Sequence, residues 1–336
     1  MARDTTLLRM AAPEPRALLL AIDPAAATRE HLARIRELLP DHEVWLGQGA
    51  GGERGEEDRG RIDIAAGWVA PEALLSLPSL RWYQQWFAGA EWLVDCPEAI
   101  ERDFALSSAS GISAAVVVEQ ALAYVLALGR RLPRAVLAQR ERTWFKPPPD
   151  RFAQLAGKTM LVAGLGAIGS RLARVAAALD VRVLGVRRRP ELPAEGAALV
   201  AGPDRLLELL PEADVVVSAM PYTRETFHFF SADAFARVKP GAVFVSVGRG
   251  KVVDEAALVA ALVGGRLAGA GLDVFEREPL PASSPLWGME QVIVTPHWGA
   301  AFPGRMPRTM ELFLDNLARF RTGQALRNVI DKRRGY

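Results

Sequence analysis

Three residues have the types and the setting for chemistry. Arg249 stands between Gly248 and Gly250, Glu278 heads the run Glu278, Pro279, Leu280, Pro281, and His297 follows Pro296. Each comes just after a short apolar run that reads as a strand, over residues 242–247, 268–273 and 291–295. An arginine between glycines at a strand end is poorly placed for core packing and well placed to reach a small anion. The chain has only four histidines. His31 falls in a helical stretch, His42 lies beside Asp41 at a turn, and His228 sits among phenylalanines, where packing is the simpler reading. A lone histidine is ordinarily structural, but Arg249, Glu278 and His297 share one edge of one expected sheet, which argues for convergence. The set suits reduction of a 2-keto acid. A guanidinium fork binds the substrate carboxylate and polarises the carbonyl. Histidinium donates a proton to the oxygen as hydride reaches the carbon. A carboxylate behind the histidine orients the ring and raises its pKa, keeping it protonated near neutrality.

Hydride must come from a cofactor, and the middle of the chain offers a place for one. Gly164, Gly166 and Gly169 form G-x-G-x-x-G where an apolar run ends and a helical pattern begins, and residues 179–186 read as the next strand. The first glycine permits a tight turn, the second lets backbone approach a pyrophosphate, and the third lets helix and strand pack closely. The helix N-terminus then presents free N–H groups to phosphate. An NAD site places an acid about twenty residues further on, to bond the ribose 2′-OH. Here Arg187 stands eighteen residues after Gly169, and Arg188 and Arg189 follow. No carboxylate repels a 2′-phosphate and three guanidiniums can bind one, so NADP(H) is expected over NAD(H). A merely solvated strand end is the plainer alternative for such a charge run.

Around these residues the chain alternates strands and helices, which predicts an α/β protein with doubly wound parallel sheets. A first α/β unit is read from a strand at 16–22, a helix capped by Thr28 and running to 39, and strands at 44–46, 62–66 and 80–86. Residues 47–60 are rich in glycine and charge and read as a mobile surface loop. A long apolar helix is expected over 113–132, and residues 142–149 read as an arm or linker. The nucleotide unit follows, with helices capped by Ser231 and Asp254, and a last helix spans 306–320. Ligands of such sheets bind beyond the C-terminal strand ends, so a cleft between two domains is expected. No solenoid repeat is present.

Composition narrows the class. The 336 residues are half apolar and a quarter charged, with a net charge of +2, which gives no argument for nucleic acid or an anionic membrane as partner. The one cysteine, Cys96, allows no internal disulfide and no cysteine zinc site. No metal is expected. The apolar run at 17–22 is too short to span a bilayer, no signal-peptide pattern is read at the start, and the run at 114–128 is broken by Glu119 and Gln120. A cytoplasmic protein is expected.

These motifs resemble the D-isomer-specific 2-hydroxyacid dehydrogenase family in order and spacing, over nearly the whole chain. They are the glycines 164–169; Gly248, Arg249 and Gly250 followed by Val253, Asp254 and Glu255; Leu272, Asp273, Val274 and Phe275 with the Glu278 run; and Pro296 with His297. The resemblance implies two Rossmann-like domains, one of residues 1–107 with 301–336 for substrate and one of residues 108–300 for NADP. It implies Arg249, Glu278 and His297 as the catalytic arginine, glutamate and histidine. Ala88 and Gly89 match a loop whose backbone N–H groups hold the substrate carboxylate. Gly164, Gly166, Ala167, Ile168, Gly169, Arg187, Arg188, Pro221, Val247, Asp273 and Gly299 are implied as cofactor contacts, with Asp273 and Pro221 on the nicotinamide side. A homodimer joined through the nucleotide domain is implied, which suits the apolar helix at 113–132 and the arm near Trp144.

Leu286 with Trp287, the run from Trp144 to Pro147, and the ending Arg333, Arg334, Gly335, Tyr336 look most like the glyoxylate/hydroxypyruvate reductase branch. The chain departs from many members at Gly89, Ala90 and Glu91, where a Gly-Val-Asp turn is usual, at Glu119 and Gln120, and near Phe302. Trp86, Phe87 and Trp298 either line an aromatic pocket or pack between domains. Alternatives remain open: a nicotinamide-sensing, corepressor-like binding protein, or another 2-hydroxyacid dehydrogenase such as phosphoglycerate dehydrogenase. Methyl transfer on a similar fold leaves Arg249, Glu278 and His297 without a role.

Overall fold

Among the described residues, twelve strands carry the fold, and every pairing between them is parallel. The computed structural model describes residues 16–22, 27–47 and 55–336. Residues 48–54 of the surface loop expected at 47–60, and the stretch before the first strand, lie outside those residues.

The described residues divide into two compact units. One holds the residues up to Ala88 together with Cys96–Ala109 and Met306–Arg333; the other holds Gly89–Asp95, Ser110–Arg305 and Arg334–Tyr336. The divide expected at 107/108 and 300/301 therefore falls at 109/110 and 305/306. The short segment 89–95 and the last three residues group with the nucleotide unit.

The first unit is a five-stranded sheet of β1 (Arg16–Ala21), β2 (His42–Gly47), β3 (Ile62–Gly67), β4 (Trp82–Gln85) and β5 (Ala105–Ser107), in the order β2-β1-β3-β4-β5. Thr28 caps the first helix as expected, its hydroxyl accepting from the N–H of His31 at 3.2 Å. Residues 56–61, expected in a loop, instead form a short helix Glu56–Arg61 ahead of β3. The helix Arg305–Arg321 returns the far end of the chain to this sheet, where Phe313 stacks on Trp82 at 5.6 Å. Asn316 also donates to the Gln84 side chain at 2.9 Å.

The second unit is a seven-stranded sheet. Its strands are β6 (Thr159–Ala163), β7 (Arg182–Val186), β8 (Ala197–Ala201), β9 (Val215–Ser218), β10 (Ala242–Ser246), β11 (Leu267–Leu272) and β12 (Val292–Val294). They run in the order β12-β11-β10-β9-β6-β7-β8, with the change of direction beside β6. The inner strands are continuous apolar runs, such as Val215, Val216 and Val217, because helices cover both faces. Strand β8 escapes the sequence reading: it is alanine-rich and lies at the sheet edge, where little burial is demanded of it.

The apolar helix expected over 113–132 ends earlier. Ala114–Gly129 is helical, Arg131 takes a left-handed φ of 58°, and a second helix, Leu132–Arg140, begins with proline in its first turn. Proline there tolerates a helix start but not the middle of one. The first helix lies close on β11: a Cβ at Gly271 would stand 2.4 Å from the Tyr124 ring. Among the described residues no helix is long and apolar enough to cross a membrane.

Candidate active site

The glycine motif closes as its spacing requires. Gly164 ends β6 with a φ of +95°, a left-handed turn at the point where a Cβ would meet the Ala219 backbone at 2.8 Å. Gly169 lies in the helix Ala167–Ala177 directly on that turn, and a Cβ there would stand 2.0 Å from the Gly164 carbonyl oxygen. Gly166 is different: a Cβ on it would meet nothing within 4 Å. It caps the helix with no side chain to occupy the first N–H groups, which have no acceptor inside the helix. The helix start at Ala167 and Ile168 thus opens as a backbone cradle that fits a pyrophosphate.

The end of β7 places Arg187 and Arg188 differently from one another. Arg187 turns its guanidinium to the carbonyls of Leu192 and Pro193, bracing the loop that follows. Arg188 extends outward, its guanidinium carbon 4.9 Å from the ring centre of Tyr336. Burial raises the Tyr336 phenol, and the Arg188 charge opposes the rise. Pro221 follows β9, its carbonyl taken by the Thr226 hydroxyl at 2.8 Å, and Val247 follows β10 and is buried.

The strand ends of β10, β11 and β12 bring the three chemical residues together. Gly248 and Gly250 flank Arg249 because backbone passes close on both sides. A Cβ at Gly248 would lie 2.5 Å from the Met220 carbonyl oxygen, and one at Gly250 would lie 1.8 Å from that of Phe275. Arg249 donates through Nε to Glu91 Oε1 at 2.9 Å and through Nη1 to the Gly248 carbonyl at 2.8 Å. His297 Nδ1 and Glu278 Oε2 are 2.7 Å apart, and Glu278 Oε1 accepts from the Phe275 N–H at 3.0 Å. The hydrogen bond to Glu278 raises the His297 pKa, against desolvation and the Arg249 charge, which lower it. Burial pushes the Glu278 carboxyl up, but its bonds to His297 and the Phe275 N–H outweigh this and leave it below the ordinary range. With Nδ1 turned to the carboxylate, Nε2 is the ring nitrogen left to exchange a proton with a ligand.

His297 adopts a left-handed φ of 51°, and the loop that holds it there is anchored from beneath. Asp273, only 3% exposed, accepts from the Thr295 hydroxyl at 2.5 Å and the Trp298 N–H at 3.1 Å, and its other oxygen takes the Gly299 N–H at 2.9 Å. The Tyr124 hydroxyl bonds Thr295 in turn. The Asp273 carboxylate, expected on the nicotinamide side, is therefore committed to the 297–299 loop, as is Gly299. Tyr124, Thr295 and Glu91 went unread in the sequence. Thr295 lies two residues before His297 and Glu91 two residues after Gly89, whereas Tyr124 has no such local cue.

The substrate loop separates. Ala88 belongs to the first unit, while Gly89 lies in the second, beside the Arg249 guanidinium. Trp86 is buried edge-on to Phe313 at 5.5 Å, a core residue and not a pocket wall. Phe87 stacks on Trp68 at 4.8 Å, and Trp298 is half exposed. His228 stacks on Phe227 at 3.9 Å, as its setting suggested, and its Nε2 is 3.0 Å from Glu276. One atom each from His228, Asp254 and Glu276 falls within 4.8 Å of the others. Asp254 already caps a helix through the Ala257 N–H, and Glu276 already accepts from the Glu255 N–H.

The sequence and the fold match known proteins. Residues 122–299 match the family described as D-isomer specific 2-hydroxyacid dehydrogenase, NAD binding domain. A glyoxylate reductase of Korarchaeum cryptofilum is 32% identical over 286 residues, covering 83% of this chain and 85% of that protein. A D-isomer specific 2-hydroxyacid dehydrogenase of Xanthobacter autotrophicus, solved with NADPH and MES, superposes with a TM-score of 0.81 at 31% identity, covering 96% of this chain and all of that one. An NADPH-dependent glyoxylate/hydroxypyruvate reductase of Sinorhizobium meliloti, solved with NADP and sulfate, does so at 0.78 and 27%, with 96% and 100% covered. The chain belongs to the D-isomer-specific 2-hydroxyacid dehydrogenase family and is an NAD(P)-dependent oxidoreductase. Within the family it falls in the branch of the glyoxylate and hydroxypyruvate reductases.

Proposed function

We propose that the enzyme reduces a small 2-keto acid of the glyoxylate or hydroxypyruvate type to the D-2-hydroxy acid, with NADPH preferred to NADH. The observation that carries this reading is the His297–Glu278 pair, 2.7 Å apart, on the same strand-end edge as Arg249. Arg249 holds the substrate carboxylate and polarises the carbonyl, with backbone at Gly89 assisting. His297, protonated and turned by Glu278, delivers its Nε2 proton to the carbonyl oxygen, which spares the developing alkoxide a full charge. The bound nicotinamide supplies the hydride. Gly164, Gly166, Ala167, Ile168 and Gly169 hold the pyrophosphate, and Pro221, Val247, Asp273 and Gly299 form or back the nicotinamide end.

The preference for NADPH is supported by the end of β7, which carries Arg187, Arg188 and Arg189 and no carboxylate. Arg188, extended and held only by a ring, is the better placed of the first two to meet a 2′-phosphate; Arg187 shapes the loop beside it. A homodimer through the nucleotide unit is supported by its exposed apolar side chains: Leu132, Val136 and Leu137 on one helix, and Trp144 at 91% exposure on the arm.

Loss of NADPH absorbance with glyoxylate, hydroxypyruvate, pyruvate and phenylpyruvate, repeated with NADH, tests the reading. His297→Ala and Arg249→Ala should each lower kcat/KM by about two to four orders of magnitude while NADPH still binds. Unchanged turnover in Arg249→Ala would remove the proposed site, and a tenfold preference for NADH would remove the cofactor assignment.

A further inference from the structure

Arg249 already carries a carboxylate. Glu91 Oε1 takes the Nε N–H at 2.9 Å. The second pair of atoms lies beside Gly89, where a Cβ would stand 2.0 Å from Glu91 Oε2 and 2.2 Å from Arg249 Nη2. The glutamate thus lies along the Nε and Nη2 edge, the face through which arginine binds a carboxylate two-handed. The remaining nitrogen, Nη1, is engaged by the Gly248 carbonyl at 2.8 Å.

We propose that Glu91 is an internal competitor for the substrate: its side chain covers the carboxylate-binding edge of Arg249 and must be displaced before a 2-keto acid can dock there. This rests on Arg249 being the carboxylate clamp described above. While Glu91 holds Nε, a second carboxylate cannot grip that edge two-handed, and the two charges repel one another. Gly89 makes the covered state possible, because any side chain at that position would strike both partners. Glutamate has the reach for it. The pair is releasable: the arginine side chain is 25% exposed and the glutamate 41%, and ion pairs so hydrated are worth about 1 kcal/mol or less. An incoming carboxylate, which can grip both nitrogens, therefore displaces Glu91 more readily than a singly contacting anion does. The cover weakens substrate binding by about threefold to fivefold.

The experiment measures oxalate, a non-reacting carboxylate, binding to the NADPH-loaded enzyme by calorimetry, and the KM for glyoxylate, in the unaltered enzyme, Glu91→Gln, Glu91→Asp and Arg249→Ala. Glu91→Gln removes the competing charge, and Glu91→Asp keeps it but withdraws it by one methylene; thermal unfolding checks that both are folded. Both variants should bind oxalate about threefold to fivefold more tightly, with the glyoxylate KM lowered and kcat/KM raised by the same factor. Unchanged oxalate affinity in both would overturn the proposal. So would a fall in kcat without a gain in affinity, which would make Glu91 a brace that positions Arg249. If Arg249→Ala still binds oxalate normally, the clamp itself is wrong and the competitor with it. If Arg249→Ala loses oxalate while the Glu91 variants bind as before, only the competitor is overturned.

Discussion

Replacing Asp273 by asparagine separates two roles for a residue that the motifs alone leave on the cofactor. In the structure its carboxylate takes three bonds, from the Thr295 hydroxyl at 2.5 Å and the N–H groups of Trp298 at 3.1 Å and Gly299 at 2.9 Å. Asparagine fits the space but has one acceptor oxygen where the carboxylate has two. With its oxygen in the place of Oδ1, its NH₂ meets the Gly299 N–H; turned the other way, the NH₂ meets the Trp298 N–H and faces the Thr295 hydroxyl. At least one charge-assisted bond is lost in a site only 3% exposed, and such bonds contribute about 1.5–3 kcal/mol. A loss of about 2–3 kcal/mol corresponds to an apparent Tm lower by on the order of 5 °C. The loop that holds His297 at its left-handed φ of 51° loosens with it. The expected result, by thermal unfolding and steady-state kinetics, is a lower Tm and at least a tenfold lower kcat, with the KM for NADPH little changed. A normal Tm with a tenfold higher NADPH KM would refute the anchoring argument and return Asp273 to the cofactor.

Three further outcomes follow from the same geometry. The Glu278 hydrogen bond raises the His297 pKa, so the protonated donor persists to higher pH, and reduction falls as pH rises through that pKa; Glu278→Gln should move the fall to lower pH in a kcat/KM profile. The stability from the pair runs the same way, lost above the raised histidine pKa and, because the Glu278 carboxyl is lowered, lost again as pH falls through the latter. Gly166→Ala and Gly169→Ala should differ: the first meets open space, so it should cost under about 1 kcal/mol of stability yet raise the NADPH KM, while the second meets the Gly164 carbonyl at 2.0 Å and should cost about 1–3 kcal/mol in chemical denaturation. Arg188→Asp should raise the KM for NADPH and spare that for NADH, measured on the same preparation; an equal rise in both would place the 2′-phosphate elsewhere.

The amino-acid sequence by itself determined the alternation of strands and helices, the helix caps at Thr28, Ser231 and Asp254, the glycine turn at 164–169, and the positions of Arg249, Glu278 and His297 at strand ends. Those features are local: a period, a cap or a turn is written within a few neighbouring residues. Local reading failed where the decisive neighbour is distant or the demand on the residue is weak. Edge strand β8 is short, alanine-rich and mostly only partly buried, because one side of it is open. The helix expected over 113–132 reads as one apolar stretch, yet breaks where Arg131 turns left-handed. Only the tertiary structure decided which hydrogen bonds the polar groups make. It tied the Asp273 carboxylate to the loop that carries His297, through atoms 22 to 26 residues away. It turned Arg187 back onto its own loop and left Arg188 outward. It brought Glu91 across 158 residues onto Arg249. A sequence pattern shows that a charged side chain is available; which partner it meets depends on the packing of the strands and loops that carry it.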